Sequence, residues 1–222
     1  SASSESSLSQ EVTSEVINAK PQILSGMKTL NEFQLERFGV SGMPSIGKFN
    51  ILVVPVEIRG TTFPSTYKNQ IDLVFNGTSE ATGWESVSSY YLKSSYGKLD
   101  ITFDVIDKYT TSNSLTKTAV ESMGEIGDEY VIAETMQNIT GVDFSQYDYN
   151  EDGYLDGVIF IYSAQYNYDI DPWWAWVYNG DFFGQHDTPK KNGKELGYYM
   201  WAGYHFMNDD TLTVDFIVNA ET

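Results

Sequence analysis

Between Tyr147 and Tyr162 the chain reads YDYNEDGYLDGVIFIY. Asp148, Asn150, Asp152 and Asp156 stand at positions 1, 3, 5 and 9 of one short loop, with Gly153 at position 6. Alternate side chains in a tight turn point inward, and Gly at the sixth position permits the sharp bend. With the backbone carbonyl of Tyr154 at position 7, the spacing matches the first nine positions of an oxygen-ligand loop for Ca²⁺. Three carboxylates crowded together without a cation repel by several kcal/mol at low effective dielectric, about 4 kcal/mol for one close pair. The twelfth position, where such loops carry a bidentate Glu, is Ile159, inside an apolar run. The loop therefore enters a strand rather than a helix, and a further ligand must come from elsewhere. The ion's role here is a structural clip. A solvated Asp/Asn turn is the other reading of the same residues.

Other chemistry is sparse. The chain holds two histidines, His186 and His205, and no Cys. The histidines lie too far apart in sequence to form a one-turn zinc pair, and thiolate metal sites, disulfides and Cys nucleophiles are excluded. No G-x-S-x-G, phosphate-binding loop or dinucleotide fingerprint occurs. Trp173, Trp174, Trp176 and Trp201 could stack on sugars beside the carboxylates; filling a core is the commoner use of such rings.

These residues need elements to position them. FNILVVPVEI (49–58) is a β-branched apolar run expected as a central strand buried on both faces, with Pro55 as a complication because it cannot donate to a ladder. PSTYKNQIDLVFNG predicts a short helix with Tyr67, Ile71 and Val74 on one face. Trp84, Val87, Tyr91 and Leu92 fall at helical spacing, and Gly97 reads as the stop. Leu99, Ile101, Phe103 and Val105 alternate with polar residues as a half-buried strand. Residues 116–138 predict one helix with a stripe of Ala119, Met123, Ile126, Tyr130 and Ala133, weakened by Gly124 and Gly127. Strands follow at 154–164 and 196–206. Strands alternating with helices give an α/β (α+β) class with a mixed sheet and flanking helices.

The 222 residues suffice for one large domain, and 41% hydrophobic with 15% aromatic content supports a sizeable core. The formal charge of −18 argues against nucleic acid or an anionic membrane as a partner. No apolar run is long enough to span a bilayer. SASSESSLSQ, with six Ser in ten residues, reads as a solvated tether, consistent with an exported, extracellular protein. Residues 1–45 are thus expected as tether plus a weakly helical possible pro-segment (11–38), and 46–222 as the main domain.

Three stretches, GKFNILVVPVEI, SVSSYYLKSSYGKLDITFDV and FSQYDYNEDGYLDGVIFIYSA, occur in an order and spacing that resembles the immune-inhibitor-A-like family of secreted bacterial zinc metalloproteases. The resemblance covers about Lys48 to Thr222, and its middle stretch is the most specific part. It implies a zincin-like twisted sheet, a protein or peptide substrate, and a catalytic Zn²⁺ held by a His-Glu-x-x-His helix that follows residues like the final NAET. That motif is absent from these 222 residues, and His186 and His205 do not sit in it, so no catalytic residue is expected in this chain. The implied zinc helix belongs to a C-terminal continuation. The family also shares the acidic loop. In enzymes of this type an edge strand near the active helix pairs with extended substrate, which makes GYYMWAGYHFM the candidate, with Tyr199, Trp201 and Gly203 as its residues. The alternative function is a calcium-stabilised, aromatic-rich module that binds glycans or a protein without catalysis.

Overall fold

The computed structural model describes residue 43 and residues 45–165, 172–179 and 188–207. The Ser-rich tether, the helix expected at 11–38, His186 and the final NAET lie outside the described residues.

The first strand, β1 (Gly47–Glu57), is central. Leu52, Val54 and Val56 face one side of the sheet and Ile51 and Val53 the other, and all five are buried. A strand with both faces covered needs apolar residues at both parities, which this run supplies. Pro55 is accommodated at a change of partner. β1 runs parallel to β2 (Leu99–Val105) up to Val53, then to the two-residue β3 (Tyr109–Thr110) from Val56. The carbonyls of Val53 and Glu57 accept from Ile106 and Thr111 on that side. By alternation the missing N–H of Pro55 therefore falls in the gap between the two partners.

On its other side β1 pairs in parallel with β5 (Val158–Tyr162), which pairs in parallel with β9 (Tyr198–Gly203). β6 (Trp176–Asn179) lies antiparallel against β9, so the sheet runs β2-β1-β5-β9-β6. A second, small sheet joins β4 (Tyr154–Leu155), β8 (Lys194–Leu196) and β7 (Lys190–Lys191). The protein is thus mixed α/β, with a mixed sheet and flanking helices.

One face of the sheet is covered by α1 (Tyr67–Asn76), which buries Ile71 and Phe75, and by α3 (Val87–Ser94). Between them lies the single turn α2 (Ser79–Thr82). Ser86 caps α3 by accepting from the Ser89 N–H at 3.1 Å. Gly97, at φ +75°, ends it as expected, with its N–H on the Leu92 carbonyl. Trp84 precedes this helix and is 59% exposed, and Tyr91 and Leu92 are exposed too, so the predicted apolar stripe is not the buried face.

The helix expected over 116–138 is two. α4 (Lys117–Ser122) ends at Met123, a 3₁₀ turn follows, and α5 (Gly127–Asn138) begins anew. Gly124 at φ +66° makes the break. The buried face of α5 is Asp128, Val131, Ile132, Thr135 and Met136, displaced from the predicted stripe because the break resets the helical phase. The single strand expected at 196–206 also divides: Gly197 separates β8 from β9, and residues 204–207 form a 3₁₀ turn. A Cβ on Gly197 would lie 2.4 Å from the Leu155 carbonyl oxygen, so the chain changes sheets there only through glycine.

Candidate metal centre

The acidic loop hangs between a 3₁₀ turn (Phe144–Tyr147) and β5. Phe144 and Tyr147 are buried and fix its entry. The Tyr147 hydroxyl donates to Asp104 Oδ2 at 2.9 Å, and Asn50 Nδ2 donates to the same oxygen at 2.9 Å. The Tyr149 hydroxyl donates to the Asn50 carbonyl at 2.7 Å, with its ring edge-on to Phe49. The alternating tyrosines of YDYN thus bolt the loop to β1 and β2.

Within the loop the predicted donors are brought together. Asp148 Oδ1 accepts from the Asp152 N–H at 3.1 Å, and Oδ2 from the Gly153 N–H at 3.0 Å. Asn150 Oδ1 also accepts from the Asp152 N–H, and Asn150 Nδ2 donates to Asp152 Oδ2. Asp152 Oδ1 accepts from the Tyr154 N–H at 2.9 Å. Asp156 Oδ2 accepts from the Tyr149 N–H at 2.6 Å, and the Asp156 N–H closes the loop on the Tyr147 carbonyl. Gly153 holds φ +93°, the left-handed turn its position requires.

The charge is less well satisfied than the backbone. Asp148 and Asp156 are buried, Asp156 to 2% exposure, and Asp156 Oδ1 has no hydrogen-bond partner. Burial, with the nearby charges of Asp152 and Asp148, pushes the Asp156 carboxyl up to about 7. A divalent cation would reverse both effects. Tyr154, whose carbonyl is the fifth expected donor, begins β4, where it lies opposite Glu195. The donor set fits calcium in chemistry: hard oxygens, three carboxylates and one amide on a glycine-turned loop. Among the described residues no three carboxylate or imidazole side chains converge tightly enough to hold an ion as they stand. Asp148 instead holds Lys194, whose Nζ lies 2.6 Å from Oδ2. Lys194, Asn50 and Asp104 were not anticipated; only the lysine-flanked Asn-Gly turn of KKNGKE hints at the first.

The expectation of an edge strand at Tyr199, Trp201 and Gly203 is corrected. β9 is flanked by β5 and, through Tyr198–Trp201, by β6. Tyr199 and Trp201 are buried in the core, where Trp201 lies 4.5 Å from the Tyr162 ring and donates to the Pro172 carbonyl. Gly203 lacks a Cβ because the His205 ring would lie 2.3 Å from one. That ring packs on Phe206, and burial holds its pKa below the usual histidine value. Among the described residues the rim position falls to β6, where Trp176 is 47% and Val177 71% exposed. Trp173 is buried too, donating from Nε1 to Glu121, so two of the four tryptophans considered for sugar stacking belong to the core.

No helix among the described residues is long and apolar enough to cross a membrane. In comparisons with known proteins, no family model and no curated protein matches the chain.

Proposed function

We propose that this chain supplies the sheet framework and a calcium-binding loop of a secreted zinc-dependent endopeptidase domain, which hydrolyses peptide bonds with metal-activated water. The observation that carries the reading is the ordered set of three sequence stretches, which fall on β1, on α3 running into β2, and on the acidic loop running into β5. A zincin-like sheet is in keeping with five mutually parallel strands, counting the short β3, and one antiparallel strand at the rim of the described sheet. On this reading an extended peptide substrate adds along β6, the outermost strand among the described residues.

The residues present do not fit zinc: His-Glu-x-x-His is absent from the 222 residues, and His205 is packed on Phe206. On this reading water activation needs residues other than these 222. Calcium fits better, held by Asp148, Asn150, Asp152, the Tyr154 carbonyl and Asp156, where it would neutralise the loop and stiffen the entry to β5.

The chain with its encoded continuation is expected to cleave casein in a chelator-sensitive manner, and the 222 residues alone are expected not to. Cleavage by the 222-residue chain, or none by the longer one supplied with zinc, overturns the reading. The alternative of a glycan-binding module is favoured by the exposed rings of Trp84, Tyr90 and Tyr96. It predicts saturable quenching of Trp fluorescence by polysaccharide.

A further inference from the structure

We infer that Lys194 is a built-in counter-cation of the acidic loop, which a divalent ion must displace or outweigh, so that this one side chain sets the affinity of the site. The inference rests on the calcium reading of the loop and adds the residue that tunes it.

Main-chain geometry, not chance, brings Lys194 there. Asn192 and Gly193, at φ +52° and +79°, form the tight turn between β7 and β8. The Glu195 N–H then donates to the Gly153 carbonyl at 2.8 Å, and β8 pairs with β4 directly after the loop. With both neighbours fixed, Lys194 Nζ is delivered to Asp148 Oδ2, on a carboxylate with no solvent exposure. The other lysines of the hairpin are committed elsewhere: Lys190 pairs with Glu195, and Lys191 donates to the Gln137 carbonyl. Lys194 also feels the charges of Glu151 and Asp152. The Lys194 ammonium thus faces the charges of Asp148, Glu151 and Asp152, and the buried Asp156 Oδ1 remains without a hydrogen bond. The loop is held together in its cation-free state but not neutralised.

An ammonium and a divalent ion drawn to one carboxylate repel each other. Either the lysine withdraws or it stays and weakens the ion. In both cases a neutral side chain at 194 binds the ion more tightly, while the cation-free loop loses its counter-charge.

The test is calorimetric titration of the chain with CaCl₂, paired with thermal melts in chelator and in CaCl₂. Lys194→Gln is expected to bind Ca²⁺ at least tenfold more tightly than the wild type. It should melt several degrees lower in chelator and recover most of that loss with the ion. Lys194→Arg, which keeps the charge, should bind as the wild type does. If Lys194→Gln folds only with CaCl₂, that is the same result at its extreme; failure to fold even then overturns the inference. Equal or weaker Ca²⁺ binding by Lys194→Gln, with the wild type binding normally, overturns the role of Lys194 alone. Binding by neither protein overturns the calcium reading, and the counter-cation with it.

Discussion

Two polar regions of this protein do similar work by different means. At one rim of the sheet, the outward backbone groups of β2 are closed by short neutral side chains. Asn76 Oδ1 accepts from the Phe103 N–H at 2.9 Å while its Nδ2 donates to the Phe103 carbonyl at 2.7 Å. Ser88 donates to the Ile101 carbonyl, and Ser95 accepts from the Leu99 N–H. In the acidic loop, by contrast, backbone N–H groups turn onto the carboxylates but the charge is not balanced: Asp148 meets Lys194, and the buried Asp156 Oδ1 has no hydrogen-bond partner. A region whose donors and acceptors balance internally is finished as structure, and it also blocks pairing with another strand. A region with surplus charge of one sign is where the proposed cation would act.

The largest expected effect tests that surplus through pH. The unfolded chain ionises Asp156 near 3.9, whereas the folded chain does so at about 7. Between these values the native state holds a proton that the unfolded state has lost, so stability in chelator falls as pH rises from about 4 to 7, by up to about 4 kcal/mol. Thermal melts across pH 4–8 check this. Asp156→Asn should flatten the slope, and excess CaCl₂, which favours the ionised form, should also remove it. A wild-type melt in chelator that rises over that range breaks the comparison.

Next in size, Asn76→Ala removes two hydrogen bonds and strands the Phe103 amide and carbonyl, at about 2–4 kcal/mol. The loss should be the same with and without CaCl₂, because this rim has no use for an ion. At neutral pH, CaCl₂ at about a hundred times its dissociation constant should stabilise the wild type by about 2.7 kcal/mol, and Asp152→Ala should abolish the gain in a thermal melt. Ser88→Ala should cost about 1 kcal/mol, again independent of calcium. The smallest effect falls on the opposite rim. Val177→Lys on exposed β6 should change stability by less than about 0.5 kcal/mol, yet alter the KM for casein in the continued chain if substrate adds there.

Much of the framework was legible because its signals are local. The β-branched run at 49–58 had to be a doubly covered strand, the 99–105 alternation a half-buried one, and Gly97 a helix stop. The hydrogen-bonded turn of the acidic loop was legible from spacing, since Asp148, Asn150 and Asp152 accept from N–H groups only two to five residues away. Errors arose where phase or partners depended on distant residues. Gly124 reset the helical phase, which moved the buried face of 127–138. β9 was expected at the rim from its place just before the implied zinc helix, and a place in the chain says nothing about which strands lie on either side. In the fold β6, from an earlier stretch of chain, takes the outer place.

By itself, then, the sequence determined the class of the fold, the central strand and the chemistry offered at the acidic loop. All three follow from side-chain type and short-range periodicity. Only the tertiary structure decided that Lys194 meets Asp148 across 46 residues, that Asn76 seals one rim, and that β6 forms the other. Those contacts depend on how separate segments are brought into register, a long-range choice that no local window of residues encodes.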